Sequence, residues 1–215
     1  MKLDRKSMLL YAVTDRAWTG EQTLYEQVEC ALKGGATCLQ LREKELSDQD
    51  FLAEALKIKE LCRQFQVPFV INDNVKVALE CGADGIHVGQ HDMKAQNVRE
   101  LAGEQMILGV SAQTVAQAVE AEKEGADYLG VGAVFTTATK LDADFVSRET
   151  LKQICAAVKI PVVAIGGISR TNILELSGTG IDGVALVSAI FSAKDIESEC
   201  RTLRELSEKM VTSCI

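Results

Sequence analysis

Four times along this chain a polar helical stretch closes on glycine, then a small or apolar residue, then aspartate or threonine, then an apolar run. The copies are Gly35-Ala36-Thr37, Gly82-Ala83-Asp84, Gly125-Ala126-Asp127 and Gly180-Ile181-Asp182. Glycine suits a left-handed helix C-cap, and the apolar run that follows suits a strand buried on both faces, so each copy marks a helix-to-strand junction. Successive copies lie about two βα units apart. Two further strand candidates follow the chain's only prolines, Pro68 and Pro161, which end the helices before them.

Counting every such run predicts eight strands: Leu9 to Val13, Cys38 to Leu41, Phe69 to Ile71, Gly85 to Val88, Ile107 to Val110, Tyr128 to Val131, Val162 to Ile165 and Gly183 to Val187. Each of the first seven is followed by an amphipathic helical stretch, such as Asp48 to Gln64 or Val115 to Glu124, and the last leads into a helix over Ser192 to Met210. Strict β-then-α alternation without a linker predicts an α/β fold, a closed (β/α)₈ TIM barrel, with an open doubly wound sheet as the structural alternative. The fourfold recurrence favours the barrel, because alternate barrel strands occupy equivalent positions. A length of 215 residues with 47% hydrophobic content suits one such domain, spanning residues 1–215.

Charge and hydropathy narrow the function classes. A formal net charge of -8 repels nucleic-acid backbones and anionic membranes, and no block of Lys and Arg offsets it. The apolar run from Met8 to Val13 is too short for a membrane span and lacks a cleavage signal, so a cytoplasmic protein is expected. The seven cysteines show no C-x-x-C and no nearby His at metal spacing, and read as reduced core thiols. The oligomeric state is not legible, and a homodimer is one option.

Barrel active sites form at the C-terminal ends of the strands, and here those ends are polar nearly everywhere. Gln40, Arg42 and Lys44 alternate along an extended segment, so period two sends all three to one face, where Arg can fork onto phosphate oxygens. A solvated charge pair at a strand end is the other reading of that tripeptide. Gly166-Gly167 allows close backbone approach to a ligand, and Val187-Ser188-Ala189 can open a short helix at the usual phosphate site of such barrels. Gly130-Val131-Gly132 lacks the third glycine of a dinucleotide fingerprint and reads as close backbone packing.

Asp73 and Asp92 follow adjacent strands, within reach of one hard cation, and magnesium is typically held by one or two carboxylates plus substrate phosphates. Each alone reads as a helix N-cap before it reads as a ligand, and it is the pair beside Arg42 and Lys44 that favours the metal. Asp15 can act or cap, His87 and His91 make no zinc pattern, and no Ser-His-Asp or Cys-His arrangement is evident. The long segment from Phe135 to Ser147, holding Lys140, is either a lid that excludes water or a surface excursion.

Taken in order, Gln40-Leu41-Arg42-Glu43-Lys44, Asn72-Asp73, His87 through Asp92, Gly109-Val110-Ser111, Thr137 through Ala143, Ala164 through Ile168 and Val187 through Phe191 resemble the thiamin phosphate synthase family, across essentially the whole chain. The resemblance implies a (β/α)₈ transferase that joins a hydroxymethylpyrimidine diphosphate to a thiazole phosphate, both small phosphorylated molecules, and releases diphosphate. It further implies that Gln40, Arg42, Lys44, Asn72, Ser111 and Lys140 hold the pyrimidine diphosphate, with Arg42, Lys44 and Lys140 catalytic. Asp73 and Asp92 would bind Mg2+, and Thr137, Thr139, Gly167, Val187 and Ser188 would hold the thiazole phosphate. The chain departs from the family's usual pattern at Ala133 and Thr136, where proline is common, and at Gln113, where histidine is. Two alternatives share the barrel: a thiazole tautomerase-like isomerase, which needs no diphosphate clamp, and a non-catalytic sensor of a phosphorylated ligand.

Overall fold

A computed structural model of the chain describes residues 3–90, 92–136 and 145–212. Eight parallel strands close on themselves in the order of the sequence: β1 (Leu10–Val13), β2 (Cys38–Leu41), β3 (Phe69–Asn72), β4 (Gly85–Val88), β5 (Ile107–Ala112), β6 (Tyr128–Val131), β7 (Val162–Ile165) and β8 (Gly183–Leu186). β1 pairs with β8 through Tyr11 opposite Ala185, which closes the barrel and leaves no sheet edge. Helices α1 (Leu24–Lys33), α2 (Asp48–Phe65), α3 (Val75–Cys81), α4 (Ala95–Ala102), α5 (Val115–Lys123) and α6 (Arg148–Ala157) follow the first six strands, and α7 (Ser188–Phe191) and α8 (Ile196–Thr212) follow the last.

The recurrent tripeptide explains how the bottom of the barrel is tied. At all four glycines φ is positive, from +63° at Gly82 to +98° at Gly35, so the left-handed conformation that admits glycine is used each time. The residue two places on then brackets the neighbouring strand. Thr37 Oγ1 accepts from the Leu10 N–H at 2.8 Å, Asp84 Oδ2 from Phe69 at 2.9 Å, Asp127 Oδ2 from Leu108 at 2.8 Å and Asp182 Oδ2 from Val162 at 2.9 Å. The backbone N–H of each bracketing residue donates back to the carbonyl of the same partner. Every odd strand is thus anchored at its start by the junction leading into the next even one, a fourfold clamp that satisfies otherwise orphaned donors.

Asp127 and Asp182 each also accept from an arginine at 2.7 Å, Arg99 and Arg5, and the Asp127 pair is the costlier to break because Arg99 is 12% exposed against 55% for Arg5. Asp127→Ala leaves the Leu108 N–H unpaired and Arg99 without its counter-charge, and is expected to cost about 2–3 kcal/mol. A denaturation midpoint measures it, and an unchanged midpoint would mean that water replaces the carboxylate at no cost.

Two layers of apolar side chains result. Outward-facing strand residues pack with the helices, and a smaller cluster fills the barrel itself, including Met8, Tyr11, Val13, Cys38, Val70, Ile107, Tyr128 and Val163. The Tyr128 ring fits because β5 offers glycine beside it: a Cβ on Gly109 would sit 2.1 Å from Tyr128 Cζ. Gly132 is similarly confined, since its Cβ would lie 1.9 Å from the Ile165 carbonyl oxygen, in keeping with the close packing expected of Gly130-Val131-Gly132. Cys30, Cys38, Cys62, Cys81 and Cys200 are free thiols, and burial pushes Cys62 and Cys200 up to about 12. No helix among the described residues is long and apolar enough to cross a membrane.

Three expectations need correction. After β7 there is no amphipathic α-helix but a 3₁₀ turn, Ile173–Leu176, because only Ile173 and Leu176 turn inward before Gly178 and Gly180, both at positive φ, break the segment. The final helix begins at Ile196 rather than Ser192, where Asp195 Oδ1 accepts from the Ser198 N–H, and α7 occupies the space before it. β3 and β5 run on past their predicted ends to Asn72 and Ala112, since Asn72 stays in register with His87 and Ser111 with Gly130.

Candidate active site

The C-terminal mouth of the barrel opens into a cavity of about 450 Å³. Its wall includes Gln40, Arg42, Lys44, Asn72, Asp73, Asp92, Ser111, Gly167, Val187 and Ser188, so every described site candidate lies on one concave surface. Thr137, Thr139 and Lys140 lie outside the described residues, as do His91 and most of the segment expected as a lid. Its two ends are tied to the barrel, with Phe135 N–H donating to Gly166 O at 3.1 Å and Val146 N–H to Ala133 O at 2.8 Å.

The alternation along Gln40 to Lys44 is realised side chain by side chain. Gln40, Arg42 and Lys44 face the cavity, Leu41 packs in the outer core, and Glu43 is buried on the reverse side against Arg16, whose Nη2 lies 2.8 Å from Glu43 Oε1. Arg16 also reaches Glu54, whose carboxyl is raised to about 7 by burial and by its bond to Glu43. The buried Thr14 completes the hold on this segment by accepting from the Arg42 N–H at 2.9 Å. Arg42 is thereby fixed at its backbone and steered at its tip, where Nη1 meets Asp15 Oδ2 at 3.1 Å. Asp15 both steers and caps, its Oδ1 accepting from Ala17 N–H at 3.0 Å.

Neither Asp73 nor Asp92 is an N-cap. Asn74 caps α3, with its side chain accepting from Val77 N–H, and Lys94 stands at the N-cap position of α4. The two carboxyls instead face one another. Burial, with the charge and hydrogen bond of Asp92 behind it, raises Asp73 to about 6, against a smaller opposing pull from Lys44 and Arg42. Asp73 also holds φ at +61°, a conformation costly for a residue with a Cβ. Asp92 is kept in place by the tight turn before it, its Oδ2 accepting from Gly89 N–H at 2.7 Å. Two hard oxygen donors drawn together at this cost beside a cationic wall are the donor chemistry that magnesium takes. Among the described residues no cluster of three or more His, Cys, Asp or Glu is poised for a metal, so water and substrate oxygens would complete such a site.

On the opposite wall, Gly166 and Gly167 both hold positive φ, +97° and +67°. A Cβ on Gly167 would lie 2.5 Å from the Thr136 carbonyl oxygen, so only glycine lets the β6 and β7 loops approach this closely. Val187 and Ser188 begin α7 beside them.

Two residues that sequence reasoning missed are Tyr11 and Tyr128, and His87 had no role assigned. The rings of the tyrosines meet edge-on, centroids 5.8 Å apart, and their hydroxyls lie 2.8 Å apart. Tyr11 takes the Gln40 Nε2–H at 2.8 Å, and Tyr128 meets His87 Nδ1 at 3.0 Å. His87 Nε2 lies 3.0 Å from Ser111 Oγ. Burial holds His87 down to about 4, so the imidazole is neutral at physiological pH. A detectable signal existed: a tyrosine inside a strand that is buried on both faces must find a polar partner for its hydroxyl.

A closed parallel barrel whose C-terminal rim gathers an arginine, a lysine, a carboxylate pair and a doubled glycine defines a (β/α)₈ enzyme built to handle phosphorylated small molecules. The profile of a family described as "Thiamine monophosphate synthase" matches residues 10–190. The chain is 52% identical over 197 residues to the thiamine-phosphate synthase of Ruminiclostridium cellulolyticum, covering 92% of this chain and 94% of that one. It is 48% identical to the thiamine-phosphate synthase of Clostridium acetobutylicum, covering 94% and 96%. Its fold superposes on the thiamine phosphate pyrophosphorylase from Pyrococcus furiosus with a TM-score of 0.89 at 39% identity, covering 96% and 98% of the two chains. The chain belongs to the thiamine monophosphate synthase family.

Proposed function

We propose that this enzyme condenses 4-amino-2-methyl-5-hydroxymethylpyrimidine diphosphate with thiazole phosphate, giving thiamin phosphate and diphosphate. The observation that carries this reading is the division of one cavity. Arg42, Lys44, Asp73 and Asp92 gather on the side of β2, β3 and β4, while Gly167, Val187 and Ser188 lie on the side of β7 and β8. Each side suits one phosphorylated substrate, and the space between them is where a bond would form.

Arg42 and Lys44 bind the diphosphate and stabilise its charge as the C–O bond to the pyrimidine methylene breaks. Asn72, Ser111 and Gln40 orient the pyrimidine, whose ring stabilises the carbocation left behind. The thiazole nitrogen then captures that carbon, its phosphate held by Thr137, Thr139, Gly167, Val187 and Ser188, while Lys140 adds its charge to the diphosphate. No protein nucleophile is called for, so the work is positioning and charge stabilisation. Asp73 and Asp92 would hold Mg2+, which when bound supplies positive charge to the departing diphosphate. One catalytic domain over residues 1–215, working in the cytoplasm, fits this role, with no nucleic-acid or membrane partner needed.

A coupled assay for thiamin phosphate and diphosphate tests the reading. Diphosphate is expected only when both substrates and magnesium are present. Binding of both without turnover would make the barrel a sensor, and thiazole isomerisation without diphosphate release would make it a tautomerase.

A further inference from the structure

The two tyrosines and His87 do more than fill the barrel. Ser111, His87, Tyr128, Tyr11 and Gln40 form an unbroken hydrogen-bond chain across the floor of the cavity, with links of 3.0, 3.0, 2.8 and 2.8 Å. Its two ends, Ser111 and Gln40, line the cavity from different strands, Tyr11 and His87 border it between them, and Tyr128 is wholly buried behind. We propose that Tyr11, Tyr128 and His87 are positioning residues that set, through one ordered run of protons, which cavity-wall group donates and which accepts at Ser111 and Gln40.

Once the Gln40 amide nitrogen is set toward Tyr11, valence orders the rest. Gln40 Nε2–H donates to the Tyr11 oxygen, so the Tyr11 proton needs another acceptor; of the buried groups within reach, the Tyr128 oxygen at 2.8 Å is a stronger acceptor than the Cys38 sulfur. The Tyr128 proton must then go to His87 Nδ1, which accepts only if the imidazole carries its single proton on Nε2. That proton goes to Ser111 Oγ, leaving the serine's own O–H to point into the cavity. At the far end Gln40 has spent one of its two N–H groups on Tyr11, and its carbonyl is left as an acceptor beside the remaining N–H. The cavity therefore presents an acceptor on the β2 wall and a donor on the β5 wall. Its preferred occupant carries an N–H facing Gln40 and a lone pair facing Ser111, as an amino-substituted nitrogen heterocycle bearing a charged tail does. Reversing any single link reverses both ends together, since a buried chain of this kind tolerates one sense at a time.

The assignment of the occupant rests on the reaction proposed above, while the proton order does not, and the test separates them. The chain has two histidines, His87 and His91, so imidazole nitrogen resonances from ¹⁵N-histidine-labelled enzyme are assigned with a single His91→Gln control. In the substrate-free enzyme at pH 7.5, His87 is expected as one neutral tautomer protonated on Nε2. Tyr128→Phe keeps the ring under Gly109 but removes the link, and is expected to convert that signal to a tautomer mixture. In the same variant the KM for the pyrimidine diphosphate should rise about tenfold, with a smaller change in kcat. Gln40→Ala and Ser111→Ala should be non-additive in kcat/KM in the wild-type background and additive in the Tyr128→Phe background. A wild-type imidazole protonated on Nδ1, a tautomer indifferent to Tyr128→Phe, or additivity in both backgrounds overturns the chain. Absence of thiamin phosphate formation by the wild type, with the Nε2 tautomer intact, overturns the reaction instead.

Discussion

Asp73→Asn is expected to lower magnesium-dependent turnover by on the order of a hundredfold or more while making the protein more stable. Both effects have one origin. The carboxyl is half-buried facing Asp92 and is raised to about 6 from an ordinary value of 3.8. A carboxyl raised on folding contributes stability below its unfolded value and loses it as pH rises through its folded value, so between about pH 4 and 6 the pair becomes a cost. Because the site is open to solvent on one side, screening leaves about 1 kcal/mol of that cost at pH 7. Asparagine removes the charge and is better tolerated at φ +61°. Thermal melts at pH 7.5 should show the variant above the wild type, with the gap narrowing at pH 4.5. Magnesium should raise the melting temperature of the wild type and leave the variant unmoved. A variant that melts lower, or that turns over normally, would return Asp73 to a structural role.

Arg42→Met should cost a comparable factor, on the order of a hundredfold in kcat/KM for the pyrimidine diphosphate, and Arg42→Lys should recover little of it. The guanidinium is held at both ends, by Thr14 at the backbone and by Asp15 at 3.1 Å from Nη1, so its fork is presented at a fixed angle that a lysine ammonium does not reproduce. Product inhibition by diphosphate isolates the effect from the chemistry. It should weaken in both Arg42 variants, and less so in Asp15→Ala, where the clamp survives but loses its steering. Undiminished inhibition in Arg42→Met would remove this residue from diphosphate binding.

Much of this protein was legible in one dimension because its constraints are local and repeated. A glycine at positive φ followed two places on by Asp or Thr is a backbone requirement and a donor's partner written in adjacent letters, and four copies of it announced the barrel. Gln40, Arg42 and Lys44 could be put on one face for the same reason, as period two follows from the pleat. The ends of elements were harder. Asn72 and Ser111 joined their strands because a neighbour continued the ladder, and the segment around Ile173 failed as an α-helix because two inward residues could not outweigh the glycines after it.

The amino-acid order by itself determined the alternation of strands and helices, the polar rim at one end of the strands and the residue types available for binding phosphate. Only the tertiary structure decided which of those residues meet. Asp73 and Asp92 could each have been a helix cap until Asn74 and Lys94 took the cap positions and left the two carboxyls facing each other. Tyr11 and Tyr128, 117 positions apart, read as two apolar strand residues until closure of the barrel brought their hydroxyls to 2.8 Å. The reason is physical: propensity and periodicity act between neighbours along the chain, whereas the charge of a carboxyl pair and the direction of a buried proton depend on groups that only a closed sheet brings within hydrogen-bond distance.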